Sequence, residues 1–136
     1  MKKLLMILPV ALVLLACEKD DENGNTLSPE SLLPNGLYEG TFNRSGMDTV
    51  NVSISFHAGL FEGSSARTQY PAICRGSYTG DTGSIQFSDS CVWQANFDWS
   101  LILNGRYELE RDGDNVKMKR NNGATTDEYV LQRKTR

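Results

Sequence analysis

From Leu37 onward the chain keeps a period of two. Val50, Val52, Ile54 and Phe56 fall on alternate positions, with Asn51, Ser53 and Ser55 between them. That rhythm belongs to a strand with one face buried and the other wet, because successive side chains of a strand point to opposite sides. The same spacing runs through Tyr38, Gly40 and Phe42, so strands are expected near 37–43 and 49–57. Ala58-Gly59 supplies a hairpin turn, and a third strand returns through Phe61 to about Ala66. After a loop at 67–72, the stretch ICRGSYTGDTGSIQFS reads as a second hairpin. One arm runs through Tyr78, the turn lies at Gly80 to Gly83, and the other arm runs through Ile85 and Phe87. Residues 89–96 are irregular and hold Cys91 and Trp93.

The stretch FDWSLILNGRYELER sets two signals against each other. Asn104-Gly105 is a hairpin turn signal, yet Phe97, Trp99, Leu101, Leu103, Tyr107 and Leu109 all fall on odd positions straight through it. A two-residue turn there would place Leu101 opposite Glu108 and mix core with charge. One long strand bent at Gly105 is therefore expected, since glycine inside a strand marks a bend. Asp112 to Asn115 then turns the chain and sets Leu109 opposite Met118, and a last strand near 127–133 carries Tyr129 and Leu131. No stretch of this region has helical periodicity. The expected fold is all-β, a small antiparallel up-and-down barrel of about eight strands, closure being the way such chains remove exposed edges. An OB-type barrel is the alternative.

The first residues, MKKLLMILPVALVLLA, have a different character. Two lysines, an apolar run and a small residue make the layout of a secretory signal. The run is short of the roughly 20 apolar residues that a membrane-spanning helix needs. Leu14-Leu15-Ala16-Cys17 resembles the bacterial lipobox, which implies lipidation of Cys17 and an anchor in the outer membrane. Acyl chains hold because each buried methylene contributes about 0.8 kcal/mol. Glu18-Lys19-Asp20-Asp21-Glu22 resembles the export signal of Bacteroidetes surface lipoproteins, which implies a chain facing the outside. The expected division is a signal at 1–16, lipidated Cys17 with a tether to residue 36, and one barrel domain at 37–136. Within the tether, Leu27, Leu32 and Leu33 are apolar exceptions that could plug the barrel's end or dock into a partner.

Removing residues 1–16 takes two of the 14 basic residues and none of the 17 acidic ones, leaving 12 against 17 and a net charge of −5. Such a chain has no basic footprint for nucleic acid. With Cys17 committed to lipid, Cys74 and Cys91 remain in an oxidising compartment and are expected to form a disulfide. A cross-link over a loop of this length stabilises by about 3 kcal/mol.

Catalytic patterns are thin. His57 is the only histidine and stands beside a turn, without the nucleophile and orienting acid that a triad requires. A zinc centre needs three or four suitable ligands, and the segment beginning Asp21-Glu22-Asn23 breaks the calcium-loop pattern at Thr26 and Leu32. No enzymatic activity, metal or cofactor is expected.

Binding is the remaining class. Arg67, Thr68, Gln69, Tyr70 and Pro71 form a loop braced at its end by Cys74, and a rigid loop loses little entropy when a partner grips it. Trp93, Phe97, Trp99 and Tyr107 could instead line a cavity for an apolar ligand, or simply fill the barrel. The opening Gly36-Leu37-Tyr38-Glu39-Gly40-Thr41-Phe42 resembles the first strand of lipocalin-type barrels, with Tyr38 in the place of their tryptophan. Size, anchor and layout are also similar to Inh-type metallopeptidase inhibitors and to the potempins, small lipoproteins that restrain secreted peptidases. Those resemblances imply a monomeric surface lipoprotein that inhibits a secreted peptidase. An apolar-ligand carrier and a structural or adhesive module are the alternatives.

Overall fold

The computed structural model describes residues 26–135. The expected signal segment and the expected lipidation site, Cys17, lie outside the described residues. Eight antiparallel strands close into one barrel in chain order, each paired with its sequence neighbour and the last with the first. They are β1 (Gly36–Arg44), β2 (Val50–His57), β3 (Leu60–Ser65), β4 (Arg75–Asp81), β5 (Ser84–Asp89), β6 (Gly105–Asp112), β7 (Asn115–Asn121) and β8 (Thr126–Arg133). The expected up-and-down barrel is the observed fold.

Register follows the alternation. In β2 the buried residues are Val52, Ile54 and Phe56, and in β8 they are Asp127, Tyr129 and Leu131. Ala58 and Gly59 take φ of 47° and 82°, the pair of left-handed residues that a two-residue hairpin between right-twisted strands requires. Leu109 faces Met118 across the Asp112–Asn115 turn, as expected. Gly40 occupies an inward position of β1 where a Cβ would come within 1.9 Å of the Val130 carbonyl oxygen, so the close approach of β8 demands glycine there.

The interior is filled by side chains. A continuous series of aromatic contacts crosses it: Tyr38 to Phe56, Phe56 to Phe87, Phe87 to Tyr107, Tyr107 to Tyr129, Tyr129 to Phe42, and Phe42 to Tyr70. Most of these meet edge to face, the arrangement that ring quadrupoles favour. Ile54, Ile85, Leu109, Val116, Met118 and Leu131 occupy the space between.

One rim is stoppered by the segment before β1. Ser28 caps a single helical turn, α1 (Pro29–Leu32), and Leu32 and Leu33 enter the core at 2% and 0% exposure. Arg111 donates to the carbonyls of Ser31 and Leu32, Leu27 N–H donates to Gly80, and Tyr38 Oη donates to Pro34. Of the two roles open to Leu32 and Leu33, the structure assigns the plug. They are not available as a partner-binding surface, because docking outside would strip two leucines from the core.

The long strand expected from Phe97 is not formed. The chain makes a 3₁₀ turn at Trp99–Leu101, and β6 begins only at Gly105. Asp98 nucleates that turn by accepting from Ser100 N–H, and Gly105, at φ of 84°, makes the corner into β6. The odd-position pattern is therefore two patterns in series. Only Leu103, Tyr107 and Leu109 of that run belong to the buried core, with Leu101 packed at its margin.

Candidate functional site

The plug, the β2–β3, β4–β5 and β6–β7 turns share one rim. The opposite rim carries the β1–β2 turn, the 66–74 loop, the 90–104 loop and the β7–β8 turn. The two long loops there are joined. Cys74 and Cys91 are disulfide-bonded, as expected, with Cα atoms 6.4 Å apart. Ala72 N–H donates to Leu101 at 3.0 Å, and Leu103 N–H donates to Ala72 at 2.9 Å.

Within the 66–74 loop the side chains divide sharply. Tyr70 is buried against Phe42 and donates its hydroxyl to the Asp48 carbonyl at 2.9 Å, and Pro71 is buried beside it. The Ser65 hydroxyl donates to Tyr70 O at 2.7 Å and holds the turn closed. Arg67 and Thr68 face solvent, and Gln69 is half-buried at φ of 57°. Arg67 lies over the Tyr70 ring, 4.9 Å from its centre. Of the five residues of this loop expected to bind a partner, Tyr70 and Pro71 are internal supports, and Arg67 with Thr68 forms the presented surface. The Arg67–Asp48 ion pair, at 3.6 Å between two exposed side chains, contributes little to stability.

Three of the four expected cavity residues lie on the 90–104 loop, and they line no cavity inside the barrel. Trp93, Phe97 and Trp99 sit outside the barrel and stack on one another, with ring centres 5.5 Å and 6.5 Å apart. Tyr107 alone is internal, packed between Phe87 and Tyr129. The cause is the same 3₁₀ turn, which carries Trp99 away from the core face. Trp93 Nε1 donates to Asp89 Oδ2 at 2.7 Å and Trp99 Nε1 to Gln94 O at 3.2 Å, so both indoles are held by their edges. Val92 is fully exposed and Trp99 more than half exposed.

Beneath the loop lies a charged seal. Arg44 and Asp127 are cross-strand partners on the inner face of β1 and β8, both buried. Arg44 also donates to Asp98 Oδ2 at 3.0 Å and to the Ser100 hydroxyl at 2.9 Å. Arg120 donates to Asp127 at 3.0 Å and to the carbonyls of Ser100 and Asn104 at 2.7 Å and 2.6 Å. Hydrogen bonds from Ser100, with the field of Arg44, hold the Asp98 carboxyl below its ordinary value. The Asp127 hydrogen bond, above all, raises Arg44.

His57 ends β2 at the plug rim and is exposed. Among the described residues no group of three or more His, Cys, Asp or Glu side chains is placed to hold a metal ion. The seal is what the sequence reading missed, and the grouping of Trp93, Phe97 and Trp99 was expected but not its place outside the barrel. Arg44 continues the even inward series of Tyr38, Gly40 and Phe42, and Asp127 precedes Tyr129 and Leu131 in step, so both inward charges could have been found by extending the alternation. No family model, curated protein or solved structure matches the chain.

Proposed function

We propose that the protein is a non-catalytic binding lipoprotein, held to the outer membrane through Cys17, that grips a secreted peptidase with the rim opposite its plug and inhibits it. The observation that carries this reading is a filled barrel beside exposed, cross-braced loops. A carrier of an apolar molecule needs interior space, and the interior here is occupied by its own aromatics. An inhibitor needs a surface already in its bound shape, which the disulfide, the Ala72–Leu101 and Leu103–Ala72 bonds and the arginine seal supply. The described residues begin at the plug, so on this reading the anchor joins the barrel at that rim and the two long loops stand at the other. That is the side a soluble enzyme would meet first.

The test is residual activity of a panel of secreted metallo- and serine peptidases mixed with equimolar protein beginning at residue 18, which keeps the plug and every strand. Stoichiometric loss of one activity, weakened by Arg67→Ala, supports the reading. Full activity of every peptidase in the panel would remove the inhibitor from consideration.

A further inference from the structure

The aromatic stack on the 90–104 loop has a surface chemistry more specific than general stickiness. Trp93, Trp99 and Val92 wall a groove of about 300 Å³, with Asp89, Cys91 and Asn104 also on its walls. The indole edges are already committed, Trp93 to Asp89 and Trp99 to Gln94, so what the rings offer a ligand is their faces. The Asp89 carboxylate belongs to the same wall. Its Oδ2 accepts from Cys91 N–H at 3.2 Å and from Trp93 Nε1, both neutral donors. Its Oδ1 is buried without a hydrogen-bond partner among the described residues, and none of the salt bridges among them includes Asp89.

An unbalanced carboxylate beside the exposed Trp99 and the half-buried Trp93 asks for a cation with a flat, weakly hydrated surface. We propose that this groove receives the side chain of an arginine presented by a protein partner. The guanidinium plane lies along an indole face, where the ring quadrupole attracts it, and its charge answers Asp89. A neutral sugar could use the ring faces but would leave the Asp89 charge unbalanced. The assignment rests on the reading that this rim binds a protein, but it does not require that protein to be a peptidase.

The experiment is a titration of the protein from residue 18 onward with N-acetyl-arginine amide and, separately, its neutral isostere N-acetyl-citrulline amide. The readout is the NMR shift of the two indole N–H signals, both of which come from this loop. Arginine should move both signals with a dissociation constant of about 1 mM, and citrulline should bind about tenfold more weakly. Asp89→Asn keeps an acceptor for Cys91 and Trp93 while removing the charge, and should reduce arginine binding about tenfold. If that variant disturbs the loop, the arginine–citrulline contrast on the unaltered protein decides alone. Equal binding of the two probes, or no shift with arginine, overturns the assignment. A shift with maltose and none with arginine would also overturn it and give the platform to a glycan. Arginine binding with every peptidase uninhibited would keep the receptor and remove the peptidase. Inhibition without arginine binding would do the reverse.

Discussion

Arg44 and Asp127, 83 residues apart in the chain, meet inside the barrel as a two-point pair, Nε to Oδ1 at 2.6 Å and a terminal guanidinium nitrogen to Oδ2 at 2.8 Å. Both are nearly inaccessible to solvent. Geometry of this kind offsets the desolvation of two charges only while both partners are present. The two removals differ: without Arg44, Asp127 keeps Arg120 and Asn122, whereas without Asp127 the buried Arg44 keeps only the exposed Asp98 as counter-charge. Asp127→Leu should therefore destabilise the protein by about 3–5 kcal/mol, read as a shift of the urea midpoint by circular dichroism. The double variant Arg44→Met, Asp127→Leu should recover much of that loss. A double variant as unstable as the single would show that the pair is needed for its own attraction.

Acid should open the rim before it opens the barrel. Asp98 is held below its ordinary value by Ser100 and Arg44, so its ionised form contributes to the folded state above that value and ceases to as pH falls through the lower, folded one. The window lies below about pH 4. Both tryptophans belong to the 90–104 loop, so their fluorescence reports on the loop while far-ultraviolet circular dichroism reports on the strands. Fluorescence is expected to change first on acidification, and Asp98→Asn should remove the early step. Coincident transitions by the two probes would contradict a separately opening rim.

Alkali should act on the core. Burial raises Tyr107 and Tyr129 well above the ordinary tyrosine value, because a phenolate has no solvation among Phe42, Phe87 and Met118. For an acid with a raised folded value, the stabilisation is complete below the unfolded value and is lost as pH rises toward the folded one. Stability should therefore decline above about pH 10. Phenolate absorbance from these two residues should appear only together with loss of the strand signal. Full ionisation of all five tyrosines while the barrel stays folded would show that the interior admits solvent.

What could be read ahead of the structure was what a period of two can carry. Val52, Ile54 and Phe56, the Ala58-Gly59 turn and the Leu109–Met118 register follow from local rules, and closure follows from the need to cover edges. The run from Phe97 to Leu109 misled because period two persists across a break. Asp98 capping a 3₁₀ turn and the corner at Gly105 reset the chain without shifting the parity of its apolar positions. Leu32 and Leu33 could be seen as apolar, but whether they plug a barrel or meet a partner depends on the open rim, which only the closed sheet creates. The candidate site was the least legible part. Its surface residues are the ones the core did not take, and sequence alone does not say which aromatics a core will leave outside.

The disulfide separates stability from display. Cys74 and Cys91 lie 17 residues apart, so their bond restricts the unfolded chain by about 3 kcal/mol, a loss that Cys74→Ser with Cys91→Ser should reproduce in urea unfolding. In the folded state the bond ties the end of the 66–74 loop to the start of the 90–104 loop. The strands themselves are secured elsewhere, by the β4–β5 ladder and the filled interior. The double serine variant should therefore remain a folded barrel at neutral pH, while limited proteolysis begins within residues 90–98, where Val92 and the aromatic stack lose their brace. Any activity of that rim should fall with it, because an untethered loop must be ordered at the moment of binding. If the variant instead keeps full protection of 90–98, then the Asp89 bonds to Cys91 and Trp93 hold the loop by themselves, and the disulfide acts on the unfolded chain alone.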